Sequence, residues 1–324
     1  MQWYHFLMLI IGLSIIAYLI ISFSFYQKVF LHYKNTKKVL VDHSLPFYKA
    51  AYDWFLSIPK DDVYIRSYDN LKLHGYYLPA IDKTTDNLAI VIHGYQSKAT
   101  DMIIIAKLYS DLGFKVLMID LRGHGMSEGK FTSMGYYEKY DLKKWINHCL
   151  RSYGATSKIV LHGVSMGASI SMLVTEFKEK SAIKFLVLDS GYTVFSKSLA
   201  ASVKPKILKI FIPGTSLFTF LKHRFTLNQI APIKAMKNLT IPFLIIHGDK
   251  DKPCPLSMAK ELYQAANSVS KDLLVVEGSP HAKAFEINRD LVANKIISAL
   301  SEPFKLKKAN IKFSSDKKKT DQLW

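Results

Sequence analysis

The stretch KIVLHGVSMGASISML, residues 158–173, places the pentapeptide Gly-x-Ser-x-Gly between an apolar run and a helix-like segment. The apolar run predicts a buried strand, and residues 166–173 predict a helix. A strand-to-helix turn of this kind holds its central serine in a strained conformation, and flanking glycines let strand and helix approach closely. Ser165 is therefore a candidate nucleophile; the alternative is a small residue in a tight corner.

Around this turn the chain alternates short apolar runs with helical patterns. Strands buried on both faces lack polar alternation, and helices between them form crossovers in a parallel sheet. Residues 62–79 alternate apolar and polar side chains around Asp69 and Asn70, which predicts an antiparallel hairpin. We expect an α/β fold over residues 61–302, with a mostly parallel twisted sheet, helices on both faces and this hairpin at one edge. The runs are LAIVIHG (88–94), KVLMIDLRG (115–123), KIVLHG (158–163), KFLVLDSG (184–191), PFLIIHGD (242–249) and DLLVVEG (272–278).

Candidate partners for Ser165 follow later strands. A serine hydroxyl needs a base to activate it, and the base needs an acid to orient it. Asp251 follows one strand and His281 follows the next, so the chain order is Ser, Asp, His. Asp249 in the same loop as Asp251, and Asp189 after the strand at 184–188, are alternative acids.

Five segments at these strand ends resemble the α/β-hydrolase superfamily, and more narrowly its bacterial esterase-like members with an N-terminal membrane helix. The resemblance covers roughly residues 62–301. The segments are HGYQS (93–97), DLRGHGMSEG (120–129), GVSMG (163–167), HGDKDKPCP (247–255) and SPHAKAF (279–285).

The resemblance implies a role for each site residue. Ser165 is the expected nucleophile, His281 the general base and then acid, and Asp251 the acid that orients His281. The backbone N–H groups of Tyr95 and Met166 are the expected oxyanion hole. No cofactor and no metal is expected, because the histidines that precede glycines have neither helical i, i+4 spacing nor a cysteine partner.

These residues predict a serine hydrolase that cleaves a carboxylic ester, small or lipid-like, through an acyl-enzyme. Thioesterase, peptidase or amidase, and acyltransferase chemistry would use the same triad, because a fold does not choose among them. A non-catalytic, membrane-bound scaffold is the alternative from a different class.

The N-terminus predicts a membrane anchor, residues 1–27. Phe6 to Phe25 contain no ionisable side chain, and twenty helical residues span about 30 Å, the thickness of a bilayer's hydrocarbon core. A cleaved signal peptide is the alternative, but it expects a basic n-region and a shorter apolar stretch. Four lysines follow the apolar run and no Lys or Arg precedes it, which predicts a single-pass protein of the cell membrane with its domain on the cytoplasmic side. These lysines are Lys28, Lys34, Lys37 and Lys38.

The remaining segments complete the predicted organisation of the 324-residue chain. Residues 28–60 predict a juxtamembrane connector with a short helix at 47–59. Residues 191–229 predict an inserted cap that we interpret as a lid for acyl chains; Gly191 to Gly248 contain eight Lys or Arg and no Asp or Glu. Residues 303–324 predict a basic, disordered tail. The net charge of +18 is therefore expected to favour binding to anionic lipid headgroups rather than to nucleic acid.

Overall fold

A computed structural model describes residues 3–31 and 46–306 of the chain. Lys34, Lys37 and Lys38 lie outside the described residues, as does the tail beyond Leu306.

An eight-stranded sheet, in the order β1-β2-β4-β3-β5-β6-β7-β8, forms the centre of the molecule. β1 and β2 are the predicted antiparallel hairpin, and β2 also pairs antiparallel with β4; all other pairs are parallel. The prediction of a mostly parallel α/β sheet with an antiparallel edge is confirmed. The strands are β1 Asp61–Arg66, β2 Lys72–Leu78, β3 Asn87–Ile92, β4 Lys115–Ile119, β5 Lys158–Val164, β6 Ile183–Asp189, β7 Phe243–Gly248 and β8 Lys271–Val276.

Eleven α-helices lie within the described residues. They are α1 Trp3–Tyr26, α2 Pro46–Ser57, α3 Ile103–Asp111, α4 Glu138–Ser152, α5 Met166–Leu173, α6 Phe195–Ser202, α7 Ile212–His223, α8 Pro232–Met236, α9 Leu256–Ala265, α10 Ala284–Ile287 and α11 Arg289–Ser301. A π-helical turn, Gln27–Leu31, continues α1, and 3₁₀-helices occupy Ala99–Met102, Val174–Glu176, Lys178–Ala182, Lys206–Phe211 and Leu227–Gln229.

The central strands are buried on both faces, which explains their continuous apolar sequences. In β3, Leu88 and Ile90 belong to one core cluster while Ala89 and Val91 belong to the other, because successive side chains of a strand point to opposite faces. One cluster packs under α4, α5, α6 and α9, and the other under α2, α3 and α11. The helices therefore cover both faces, as predicted.

The segment between β6 and β7 is helical and contains no strand, as expected for an insertion in the sheet. It holds α6, the 3₁₀-helix Lys206–Phe211 and α7 within the range predicted as a cap, residues 191–229. That range and the other predicted segment boundaries, 1–27, 28–60, 61–302 and 303–324, stay predictions.

One helix among the described residues, Trp3–Leu31 with its π-helical end, is long and apolar enough to cross a membrane. A signal sequence near an N-terminus passes the same test of length and composition. The end of this helix packs on the domain, because Ser22, Tyr26 and Phe30 are buried and Phe30 belongs to the main core cluster.

Candidate active site

The turn that holds Ser165 has the tight geometry expected from its sequence. β5 ends at Val164, α5 begins at Met166, and Ser165 between them has φ 54° and ψ −111°. A Cβ on Gly167 would lie 2.2 Å from the main-chain oxygen of Ile92. A backbone in this region costs of order 1–3 kcal/mol, and such strain clusters at functional sites.

Ser165 lies at one end of a chain of hydrogen bonds. Its Oγ is 2.7 Å from Nε2 of His281, and Nδ1 of His281 is 2.7 Å from Oδ2 of Asp251. The Asp251 side chain is buried, whereas the His281 side chain is 25% exposed. The structure thus brings together three residues from the loops after three different strands.

Two residues that the sequence did not single out hold Asp251 in place. The backbone N–H of Cys254 donates to Oδ1 of Asp251 over 2.8 Å. Nε2 of His247 lies 2.7 Å from the Cys254 carbonyl oxygen and 3.4 Å from Oδ2 of Asp251. Burial lowers the pKa of His247, so its ring is neutral and positions the loop by hydrogen bonding. Both belong to the segment HGDKDKPCP (247–255), which carries part of the resemblance, but neither residue has a distinctive sequence signal of its own.

The two alternative acids make other contacts. The Asp249 carboxylate lies 3.5 Å from Nζ of Lys250. The Asp189 carboxylate accepts a hydrogen bond from the Ser190 hydroxyl over 2.7 Å, and that hydroxyl accepts the N–H of Ala282, next to His281, over 3.1 Å. Asp189 is therefore linked through the Ser190 hydroxyl to the loop that carries His281.

Comparisons with known proteins agree with this fold. A family model described as serine aminopeptidase, S33, matches residues 83–215, which include Ser165 but neither Asp251 nor His281. The Pyrococcus furiosus esterase Pf2001 superimposes with a TM-score of 0.64 at 25% identity, covering 77% of this chain and 94% of that one. This chain is an α/β hydrolase.

Curated relatives extend the likeness along most of the chain. The uncharacterized protein YqkD of Bacillus subtilis is 26% identical over 286 residues, 87% of this chain and 93% of that protein. Monoglyceride lipase of Mus musculus is 26% identical over 250 residues, 66% of this chain and 80% of that protein. The family model, Pf2001 and monoglyceride lipase together identify this α/β hydrolase as an esterase-like serine hydrolase.

In this α/β hydrolase the two predicted oxyanion donors border Ser165. Met166 follows Ser165 directly and opens α5, where the helix dipole favours negative charge. Gly94 precedes Tyr95, and a Cβ on Gly94 would lie 3.3 Å from Cβ of Ser165, so this loop passes alongside the serine. The Tyr95 hydroxyl donates to the carbonyl of Val29 over 2.9 Å, and burial raises its pKa to about 12.

A cavity of about 270 Å³ opens beside the hydrogen-bonded chain. Ser165 and His281 line it, together with the apolar side chains of Met102, Ile104 and Phe285. An apolar cavity with a few converging polar groups is the usual form of a small-molecule site.

Within the described residues, one group could hold a metal ion: Asp251, Cys254 and His281, whose ligand atoms lie within 4.8 Å of one another. Burial raises the pKa of the Cys254 thiol to about 12, which disfavours the thiolate that a metal requires. Asp251 and His281 are already bonded to each other. The donor set therefore fits a metal poorly.

Proposed function

We propose that this α/β hydrolase cleaves carboxylic esters by a Ser165–His281–Asp251 triad. The observation that carries the proposal is the unbroken chain of two hydrogen bonds of 2.7 Å, which reaches the wall of an apolar cavity. A buried carboxylate at Nδ1 fixes the imidazole tautomer that leaves Nε2 free to accept a proton.

In the first half-reaction, Oγ of Ser165 attacks the ester carbonyl carbon while Nε2 of His281 takes the hydroxyl proton. The backbone N–H groups of Tyr95 and Met166 donate to the oxyanion, and one such donor is worth about 2.7–4 kcal/mol of barrier. The imidazolium of His281 then protonates the leaving alcohol, and an acyl-enzyme remains. In the second half-reaction, His281 takes a proton from water, hydroxide adds to the acyl carbon, and Ser165 leaves with that proton.

An ester is the favoured substrate because two relatives carry the names esterase and monoglyceride lipase. The description serine aminopeptidase on the family model favours a second candidate, hydrolysis of an amide or peptide bond by the same residues. Comparing p-nitrophenyl butyrate with aminoacyl p-nitroanilides separates the two: the ester proposal requires turnover of the former to exceed turnover of the latter.

We further propose that α1 is retained as a single membrane anchor with the domain on the cytoplasmic side. Retention is supported by the packing of Ser22 and Tyr26 on the domain, because cleavage after the small-x-small sequence Ser22-Phe23-Ser24 would remove part of this contact. Lys28 after the apolar run, with no Lys or Arg before it, supports the orientation. Digestion of the domain by a protease added outside intact spheroplasts would overturn the orientation.

The triad is tested on the full chain in detergent with a fluorophosphonate probe and p-nitrophenyl butyrate. We expect Ser165→Ala to abolish labelling. We expect Asp251→Asn to lower kcat about 10⁴-fold, whereas the matched control Asp249→Asn leaves it within about threefold, because that carboxylate does not bond to His281. Equal losses in the two Asn variants, or labelling that persists in Ser165→Ala, would refute the triad. An unlabelled wild type that is folded would favour the scaffold.

A further inference from the structure

α1 reaches the domain at the edge of the sheet that carries Ser165. The π-helical turn after α1 bonds two loops at this edge: Val29 accepts from the Tyr95 hydroxyl, and the Phe30 carbonyl accepts the N–H of Thr132 over 3.1 Å. Tyr95 follows β3 and Thr132 lies between β4 and α4. Because carboxyl ends of parallel strands share an edge, the helix and Ser165 lie on the same side of the molecule.

The last two turns of α1 pack against α7 and the residues before it. The Tyr18 hydroxyl accepts the N–H of Gly214 over 3.0 Å and donates to the Ile210 carbonyl over 3.2 Å. Thr215 Oγ1 lies 3.3 Å from the Ser22 carbonyl oxygen. A Cβ on Gly214 would lie 2.2 Å from Oγ of Ser22, so the glycine permits this close approach. The two segments therefore pack as one unit.

The outer surface of this unit is apolar with a basic border. We call it the cap face, and it comprises Ile207, Ile210, Leu217, Phe220 and Leu221, each between 45% and 66% exposed. Lys204, Lys206, Lys222 and Arg224 are exposed and lie within three positions of these residues in the sequence. No Asp or Glu lies between Gly191 and Gly248. Apolar side chains beside cations are the composition of a surface that binds anionic lipid.

We propose that the cap face is a membrane-docking surface that inserts into the headgroup layer beside α1. The inference rests on the proposed anchoring and deepens it. α7 packs on Tyr18 to Tyr26, a range that includes the last eight residues of the span 6–25. If residues 6–25 occupy the hydrocarbon, α7 therefore lies at the boundary of the bilayer. The edge that carries Ser165 then faces the lipid, and the substrate class is an ester whose acyl chain resides in the bilayer.

The test measures depth in the membrane at single cysteines. The full chain is reconstituted in vesicles of phosphatidylcholine and phosphatidylglycerol, and a fluorophore on Leu217→Cys or Phe220→Cys is exposed to lipids with a nitroxide on the acyl chain. Native Cys149 and Cys254 are buried, so the introduced thiol is labelled selectively. Ile15→Cys in α1 is the positive control. Val269→Cys, fully exposed in a loop before β8 and so at the opposite edge, is the matched negative control.

We expect quenching at positions 15, 217 and 220, and none at Val269→Cys. Quenching at position 15 with positions 217 and 220 behaving like Val269→Cys would overturn the docking surface and leave the anchoring intact. No quenching at position 15 would overturn the anchoring, and the docking surface with it. Cross-linking between copies through Phe220→Cys without quenching would assign the face to a second copy and overturn the proposal.

Kinetics supply an independent readout. The double variant Phe220→Gln, Leu221→Gln removes apolar surface from the cap face. We expect the ratio of the rate on a vesicle-embedded ester to the rate on a dissolved short-chain ester to fall about tenfold, since burying each large apolar side chain favours docking. The control Ile81→Gln, exposed in the loop before β3, leaves the ratio unchanged. An unchanged ratio in the double variant would contradict docking by this face.

Discussion

The buried carboxyl of Asp189 makes the stability of this hydrolase depend on pH in a direction that can be worked out. Asp189 ends β6, its backbone carbonyl accepts the Ser165 N–H over 2.7 Å, and its side chain accepts the Ser190 hydroxyl. Burial raises its pKa to about 6, because desolvation disfavours the charged form. Replacing it in Asp189→Asn removes the ionisation and retains an acceptor oxygen for Ser190.

The magnitude follows from the difference between the folded and unfolded pKa values. The unfolded value is about 3.9, so the difference is about two and corresponds to about 3 kcal/mol. Because the folded pKa is the higher one, this stability is fully present below about pH 4 and is lost as the pH rises through about 6. Above about pH 7 the wild type should therefore have lost about 3 kcal/mol of its free energy of unfolding through this group, a loss that Asp189→Asn does not share.

Urea unfolding of the full chain in detergent, followed by tryptophan fluorescence at several pH values from acid to neutral, measures this difference. Trp145 is buried in the core and reports the unfolding. The quantity of interest is the free energy of unfolding of the variant minus that of the wild type, which removes the titration of all other groups. The control Asp53→Asn removes a carboxyl that is exposed on α2 and shows what the loss of an exposed carboxyl does to the same difference. Parallel curves for wild type and Asp189→Asn would refute a carboxyl held protonated by burial.

Three further substitutions test separate parts of the hydrolase. Arg122→Ala should cost about 3–5 kcal/mol in urea unfolding, because it strands the buried Asp141 carboxylate, now 2.6 Å from Nε of Arg122; an unchanged midpoint would contradict this. Gly167→Ala should lower kcat about 10²-fold, since the added Cβ would lie 2.2 Å from the Ile92 oxygen and must shift the serine turn; wild-type fluorophosphonate labelling would contradict it. Tyr95→Phe removes one hydrogen bond to the turn after α1 and should lower kcat on a dissolved ester with KM unchanged. A kcat equal to that of the wild type would show that this hydrogen bond does not position the Tyr95 loop for catalysis.

The fold was predictable because each buried strand has a distinctive local sequence. Lys158–Val164 in β5 and Phe243–Gly248 in β7 are apolar runs that could be buried only between two layers of helices. The hairpin was equally visible, and in β1 its alternation matches one covered face, because Val63 and Ile65 pack against one core cluster while Tyr64 is exposed. Strand order was beyond sequence reasoning, since β4 lies between β2 and β3 through pairings that no local pattern encodes.

The candidate site was predictable to the level of loops. Chain order and strand ends predict Ser165 and His281 at one edge, and the resemblance favours Asp251 as the acid, but chain order alone does not separate Asp251 from Asp249, two positions away in the same loop. The choice depends on which carboxylate the backbone of Cys254 and the ring of His247 hold, and those contacts exist only after the loop has folded. Neutral supporting residues such as these have no distinctive sequence signal, so only the folded structure identifies them.

The end of α1 shows where reasoning from composition stops. An uncharged apolar run predicts that a helix requires an apolar environment, and bilayer and protein satisfy that requirement equally. Ser22 and Thr215 are 193 positions apart, yet their contact makes one surface of the helix part of the enzyme while the rest remains exposed. Tyr18 lies in the same run, and its hydroxyl bonds to Gly214 and Ile210 of the cap region, whereas the hydroxyls of Ser14 and Ser24 bond to carbonyls of their own helix. A polar side chain inside an apolar span therefore marks a packing surface only where its hydrogen bonds leave the helix, and those partners are set by the fold rather than by the composition of the run.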